Sequence, residues 1–275
     1  MRNPRCDVTL LPLTLALCLA ASIASAQGGQ GQVPPAGRGG PPGGRGAQPP
    51  ATPRAASPID LTGDWVSIVT EDWRYRMVTP PRGDYQSVPM TPEAVKIADA
   101  WDPASDEAAG NQCKSYGAAA IMRLPGRIRV SWQDDATLRL DTDAGMQTRL
   151  FRFGAQSTPG APTWQGDSSA QWELPRGRGR AGGASAGAPR NGALKVVTTN
   201  MRAGYLRKNG VPYSERATLT EYFNVIRHGS GDQWLVVTAV VDDPTYLRQP
   251  FIVSSHFRRQ ADGAGWDPTP CSSTW

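Results

Sequence analysis

The chain has 275 residues, a net charge of +5 and 39% hydrophobic residues. This length is enough for one domain with a substantial core. The positive charge is unevenly placed, because the chain from Pro58 onward has 24 basic residues and 23 acidic ones. Four of those arginines lie in one Gly/Ala-rich insert, so the folded part is weakly acidic and we expect no nucleic-acid partner.

The first 26 residues have the layout of a secretory signal peptide. Arg2 and Arg5 precede an apolar run from Val8 to Ile23, and Ala24-Ser25-Ala26 supplies a small-x-small cleavage site. The run is too short and wrongly flanked for a retained membrane span, so we expect no transmembrane segment. The sequence therefore predicts cleavage after Ala26 and a periplasmic or secreted mature protein.

Two further segments have a low-complexity composition. Residues 27–57 consist mainly of Gly, Pro, Gln, Ala and Arg without apolar periodicity, and residues 176–192 have a similar composition. Such segments bury too little apolar surface to offset the entropy lost on ordering. We therefore predict a disordered linker at 27–57 and a single β-rich domain at 58–275, with a disordered loop insert at 176–192.

Two cysteines remain after the predicted cleavage. Cys6 and Cys18 leave with the signal peptide, which leaves Cys113 and Cys271 as the only thiols. In an oxidising compartment these two have one possible intramolecular pairing. The sequence predicts a Cys113–Cys271 disulfide, with two separated thiols as the alternative.

Most of the remaining pattern alternates apolar and polar residues, which is typical of half-buried strands. Residues 127–132 and 138–141 alternate in this way, and the run 146–153 completes a three-strand meander. Further strands are predicted at 169–174, 194–198, 217–227, 233–241 and 251–258. The run 233–241 is apolar on both faces, which favours a central position. Residues 65–78 are also extended in pattern, with a bend near Glu71-Asp72 where the apolar parity switches.

One segment has a helical signature. Thr91 can act as the N-cap and Pro92 occupies the first position, with apolar residues on one face as far as Trp101. About ten strands and one short helix predict a mainly β fold, either an antiparallel β-barrel or a strongly curled sheet, because closure removes edge strands. A two-sheet β-sandwich is the alternative.

Two short motifs match enzyme or cofactor sites, but the sequence around them is incompatible with both. Residues 177–182 match a dinucleotide fingerprint and residues 183–187 match a nucleophile elbow. Both lie in the Gly/Ala-rich insert, which cannot supply the strand-turn-helix unit that each motif needs. We therefore predict no cofactor and no metal site, and the sequence leaves open whether the protein is an enzyme.

The candidate ligand-binding residues are aromatic, basic or histidine residues of the predicted strands. Trp65, Trp73, Tyr75 and Trp132 are candidate wall residues of a cavity, although the residues around Glu71-Asp72 could instead mark a strand bend and its core. His256 alternates with Ile252 and Ser254 and would point into a barrel, with a plain strand histidine as the alternative.

Basic residues on neighbouring strands add one more candidate. The polar faces of these strands carry Arg127, Arg129, Arg139 and Arg149. If they lie together in a cavity, such guanidinium groups would hold a carboxylate or phosphate, and Arg129 is the candidate that we select. A solvent-facing sheet surface is the alternative.

A set of short motifs runs through the second half of the chain. They are Trp164-Gln165-Gly166-Asp167-Ser168, Trp172-Glu173, and the runs 194–200, 210–215, 219–223 and 242–244. This combination resembles a family of exported bacterial β-rich proteins of unknown function, in which a short Gly-Asp turn stands where this chain has its insert. The resemblance implies export and a shared β architecture, and it implies no activity.

A second motif stands at the start of the first predicted strand. Gly63-Asp64-Trp65 resembles the Gly-x-Trp that opens the first strand of lipocalin (calycin) barrels. The resemblance implies that an arginine of the last strand packs on the tryptophan, a place that Arg258 or Arg259 would take. The long segment from Thr79 to Tyr116 departs from a compact lipocalin meander.

Three functions follow as hypotheses. The first is an exported barrel that binds a small, partly apolar or anionic ligand. The second is a hydrolase or isomerase that uses carboxylates and His256. The third is a cell-envelope interaction module in which the linker and the Arg-rich insert contact the partner. The sequence does not indicate an oligomeric state.

Overall fold

The computed structural model describes residues 51–154, 160–174 and 192–274. The predicted signal peptide, the linker before residue 51 and residues 176–191 of the insert lie outside the described residues. The strands are β1 (Gly63–Ile68), β2 (Arg127–Asp134), β3 (Thr137–Thr142), β4 (Thr148–Phe153), β5 (Asp167–Glu173), β6 (Ala193–Thr199), β7 (Gly204–Tyr205), β8 (Pro212–Tyr213), β9 (Thr218–Arg227), β10 (Gln233–Asp242) and β11 (Phe251–Arg259). The helices are α1 (Trp73–Arg76), α2 (Pro92–Asp99), α3 (Pro103–Ala108) and α4 (Ala118–Ile121), with a 3-10 helix at Gln112–Tyr116.

Nine of the strands form a closed barrel in the order β1-β11-β10-β9-β6-β5-β4-β3-β2, and β7 and β8 form a separate small sheet. Every neighbouring pair in the barrel is antiparallel except β4 and β5. A ring of nine strands cannot alternate in direction all the way round, so closure requires an odd number of parallel pairs. The predicted mainly β barrel is confirmed, and the sandwich alternative is not what the chain forms.

Most predicted strands are confirmed at nearly their predicted bounds. The chain forms the meander β2-β3-β4, pairs β5 with β6 across the insert, and places β10 between β9 and β11. The segment after β1 differs from the prediction. The bend is present, because Asp72 has a φ of 52°, but the residues beyond it form the helical turn α1 and not a second extended run.

The predicted helix is confirmed as α2, and three other short helices accompany it. The Thr91 hydroxyl accepts a hydrogen bond from the Ala94 amide at 3.3 Å, and Pro92 occupies the first turn, as expected for an N-cap. α2 ends at Asp99, and Pro103 begins α3, whose N-cap Asp102 accepts from the Ala104 amide. Pro suits this position because the first helical turn does not need its amide hydrogen.

The inside of the barrel is a packed core. Its inward-facing side chains include Trp65, Ile128, Val130, Leu138, Leu140, Phe151, Leu194, Val196, Phe223, Leu235, Val237 and Phe257. The rings of Phe151 and Phe223 face each other across the interior with centroids 5.4 Å apart. Alternation along each strand brings these residues inward, and a small barrel is then filled by its own side chains.

The two ends of the barrel differ. At the end where β1 finishes, a second apolar cluster joins α2 and α4 to residues 201–217 and to Leu219, Val241 and Phe251. We call this the closed end. At the opposite end β1 begins and β11 finishes, and residues 51–57 reach it: the Trp172 indole donates to the Pro53 carbonyl at 2.8 Å. We call this the open end.

The chain after β11 returns to the closed end along the outside of β2. In this C-terminal strap (residues 260–274), the Trp266 ring lies 4.6 Å from the Arg129 guanidinium, and the Thr269 amide donates to the Asp143 carbonyl at 3.0 Å. Cys271 is bonded to Cys113, so the predicted disulfide is confirmed. Within the described ranges no helix has the length and apolar character needed to cross a bilayer.

Candidate functional site

A cavity of about 1390 Å³ lies at the open end of the barrel. Its walls come from residues 57–62 before β1 and from the ends of β2, β5, β6, β9 and β10 that meet there. The lining residues are Arg54, Ser57, Pro58, Ile59, Asp60, Thr62, Trp132, Glu173, Leu174, Gly192, Ala193, Asn224, Val225, Ile226, Arg227 and Val236. We call this space the rim cavity, because it lies beyond the packed core and extends over the edge formed by β9 and β10.

An aromatic cluster of Trp132, Phe153 and Trp172 stands beside the rim cavity. The ring centroids are 5.8 Å apart for Trp132 and Phe153, 5.2 Å for Phe153 and Trp172, and 6.4 Å for the two tryptophans. Each is the inward-facing residue near the open end of its strand, on β2, β4 and β5. Because the three rings pack against one another, Trp132 presents an apolar face to the cavity.

The charges around the rim cavity are unevenly compensated. Three of its four charged side chains are paired within the protein: Arg54 with Asp135 at 3.9 Å, Asp60 with Arg259 at 3.6 Å and Glu173 with Lys195 at 3.9 Å. The fourth, Arg227, is exposed and has no ion-pair partner in the described part of the chain. The cavity therefore combines an apolar wall with one guanidinium that can bind an anionic group.

Trp132 is the one candidate wall residue that lines this cavity. Trp65 is fully buried in the core, where its indole donates to the Leu61 carbonyl at 3.0 Å and the Arg259 guanidinium lies 5.6 Å from its ring. Trp73 and Tyr75 belong to α1 at the closed end. Trp73 is 66% exposed, whereas Tyr75 is buried with the Arg207 guanidinium 4.1 Å above its ring.

The four arginines of the neighbouring strands do not all lie on one face of the sheet. Arg129 faces outward, and its Nε donates to Asp64 at 2.9 Å. Arg139 also faces outward and pairs with Asp141. Arg149 differs from the expectation, because it faces into the barrel and pairs with Glu221. The reason is strand parity: Arg149 lies two residues before Phe151 and so occupies the same face.

His256 lies on the outer face of β11 and does not point into the barrel. Its neighbours Ser255 and Phe257 are the inward-facing residues. The His256 Nδ1 atom lies 3.1 Å from the Glu71 carboxylate and 2.9 Å from the Thr70 hydroxyl. Thus the structure brings His256 and Glu71 together, away from the rim cavity.

Arg227 and Val225 are site residues that sequence reasoning missed. Both occupy inward positions at the end of β9, in parity with Phe223, so the alternation of the strand could have identified them. The contact between Glu221 and Arg149 could also have been predicted, because each residue occupies an inward position of its strand. Ile59 also lines the cavity. It belongs to a segment without secondary structure, so no local sequence pattern predicts its position.

In comparisons with known proteins, no protein-family model, curated protein or solved structure matches this chain. Within the described residues, no group of three or more His, Cys, Asp or Glu side chains is placed to hold a metal ion. The geometry of the chain itself is therefore the basis for a functional proposal.

Proposed function

We propose that this protein binds a small, partly apolar molecule with an anionic group in the rim cavity, and that it does so outside the cytoplasm after export. The observation that carries the proposal is a cavity of about 1390 Å³ that joins the Trp132 face to the unpaired charge of Arg227. Ligand sites are typically concave, largely apolar and supplied with a few placed polar groups.

The wall of the rim cavity can be tested with the fluorescent aromatic sulfonate 1-anilinonaphthalene-8-sulfonate. We expect Trp132→Ala to weaken binding of this probe by about tenfold or more, since buried aromatic anchors contribute about 2 kcal/mol or more at binding sites. Fluorescence titration measures the change. Trp73→Ala is the matched control, because it removes an exposed tryptophan at the closed end and should leave the affinity unchanged.

The charge is tested separately by comparing that probe with the neutral N-phenyl-1-naphthylamine. Arg227→Gln should weaken binding of the sulfonate several-fold and leave binding of the amine unchanged, because only the sulfonate uses the guanidinium. Equal binding of both probes by wild type, Trp132→Ala and Arg227→Gln would remove the basis of the proposal.

A second candidate function rests on the contact between His256 and Glu71. A carboxylate beside Nδ1 orients the imidazole, which leaves Nε2 available as a general base. We expect any hydrolysis of p-nitrophenyl acetate by the protein to fall to background in His256→Gln. The control is His228→Gln, which removes an exposed loop histidine. Equal rates for both variants would show that His256 has no catalytic role.

A further inference from the structure

Three arginines at the closed end are almost wholly buried, with exposed fractions of 1% for Arg76, 5% for Arg123 and 3% for Arg207. They come from α1, from the turn after α4 and from the loop between β7 and β8. The Arg76 Nε donates to the Arg123 carbonyl at 2.7 Å. The Arg207 Nη1 donates to the Gln86 carbonyl at 2.7 Å. We call these three residues the arginine cluster.

The arginine cluster has more donors than the described residues use. Arg76 Nη2, Arg123 Nη1, and both Nε and Nη2 of Arg207 are buried and find no acceptor among the described side chains and backbone. Buried polar groups are nearly always hydrogen-bonded, so four such atoms in one cluster require an explanation. The Nε and Nη2 of one guanidinium form the edge that binds two oxygens of a carboxylate or phosphate side by side.

The charge balance of the arginine cluster is also incomplete. Glu71 pairs with Arg76, and Asp72 lies 3.0 Å from Arg123. The nearby Asp84, whose side chain is 12% exposed, pairs with Arg74 and is therefore shared between Arg74 and Arg207, on which it also acts electrostatically. Burial, reinforced by the neighbouring Arg123, lowers the pKa of Arg207 to about 10, so this guanidinium still carries its charge at neutral pH. The cluster therefore holds one buried positive charge without a carboxylate of its own.

We propose that the arginine cluster binds a small oxyanion, a carboxylate or a phosphate group, which lies against the Nε/Nη2 edge of Arg207 and accepts further hydrogen bonds from Arg76 and Arg123. The side chains of Glu71 and Asp72 are each 31% exposed, so the arginine cluster lies close to solvent on this side. This site is distinct from the rim cavity, since it lies at the opposite end of the barrel.

The test is thermal unfolding of the purified protein at constant ionic strength, with sodium chloride replaced in steps by sodium acetate or sodium phosphate. A ligand that binds only the folded state at a hundred times its Kd should raise Tm by about 5–10 °C for a domain of this size. Arg207→Gln should abolish the saturable rise. Arg216→Gln is the matched control because Arg216 is exposed, and it should keep the rise of the wild type. The rise that remains in Arg207→Gln measures the general stabilisation by phosphate.

A second variant keeps the test decisive if Arg207→Gln folds poorly. Asp72→Asn removes a carboxylate that competes for Arg123, and asparagine tolerates the φ of 52° at this position. We expect Asp72→Asn to have a lower Tm without the oxyanion and a larger rise with it than the wild type. A response to acetate alone identifies a carboxylate site, and a response to phosphate alone identifies a phosphate site.

The proposal is wrong if acetate and phosphate shift wild type, Arg207→Gln and Asp72→Asn by the same amount as Arg216→Gln. Water molecules would then satisfy the four donors. A negative result here would not affect the proposal for the rim cavity, because Trp132→Ala and Arg227→Gln are tested with different probes at the other end of the barrel.

Discussion

Replacing Glu221 with glutamine should lower the free energy of unfolding by about 3–5 kcal/mol, since it leaves an uncompensated charge inside the barrel. Glu221 and Arg149 have exposed side-chain fractions of 1% and 0%. Two hydrogen bonds join them, from Nη1 to Oε1 at 3.0 Å and from Nη2 to Oε2 at 2.5 Å. The retained guanidinium would keep its desolvation cost and lose the charge that offsets it.

The magnitude can be measured by guanidinium chloride denaturation. Arg139→Gln is the control, because the Arg139 to Asp141 pair lies on the outer face with Arg139 45% exposed, and exposed pairs contribute less than about 1 kcal/mol. The double variant Arg149→Met/Glu221→Leu should regain most of the lost stability, since apolar residues of similar volume need no partner. A loss of under about 1 kcal/mol in Glu221→Gln would contradict this account of the interior pair.

Removing the disulfide should cost up to about 5 kcal/mol of unfolding free energy in the chain-entropy model. Cys113 and Cys271 are separated by 158 residues, so the bond closes a long loop and restricts the unfolded chain strongly. The variant Cys113→Ala/Cys271→Ala should therefore have a lower denaturation midpoint than the oxidised wild type.

A local effect should accompany the global one. Without the disulfide, the C-terminal strap depends mainly on isolated contacts such as the Thr269 to Asp143 hydrogen bond, so limited proteolysis should cleave within residues 260–274 before it cleaves the barrel. Reduced wild type serves as the control and should behave like the double variant. An unchanged midpoint and an intact strap in the double variant would contradict the prediction.

The strands could be predicted because their local pattern is strong. Residues 217–227, 233–241 and 251–258 alternate or run apolar over most of their length, and β9, β10 and β11 match them within one or two residues. The α1 segment was missed because Trp73, Tyr75 and Met77 also satisfy an alternating pattern over a few residues. After the turn at Asp72, however, the chain continues as a helical turn and not as a strand.

The candidate sites were harder to predict, because they depend on contacts between distant segments. Trp132 was predicted as a wall residue of a ligand cavity, and in the structure it lines the rim cavity. The position of Arg149 was misjudged because it was grouped with Arg127, Arg129 and Arg139 on one polar face, although its parity with Phe151 indicated the opposite face. The arginine cluster joins residues 76, 123 and 207, and nothing local relates those three positions.

The closure of the barrel has a consequence for the order of folding. β1 pairs with β11, the first and last barrel strands along the chain, whereas the meander β2-β3-β4 and the pairs within β9-β10-β11 are local in sequence. Long-range pairings form slowly because the entropy of closing the loop must be lost first. A chain that emerges from the ribosome or through a membrane channel with its N-terminus leading cannot close this ring until its last strand is available. β1 must therefore wait for nearly the whole chain, with one edge unpaired until β11 arrives.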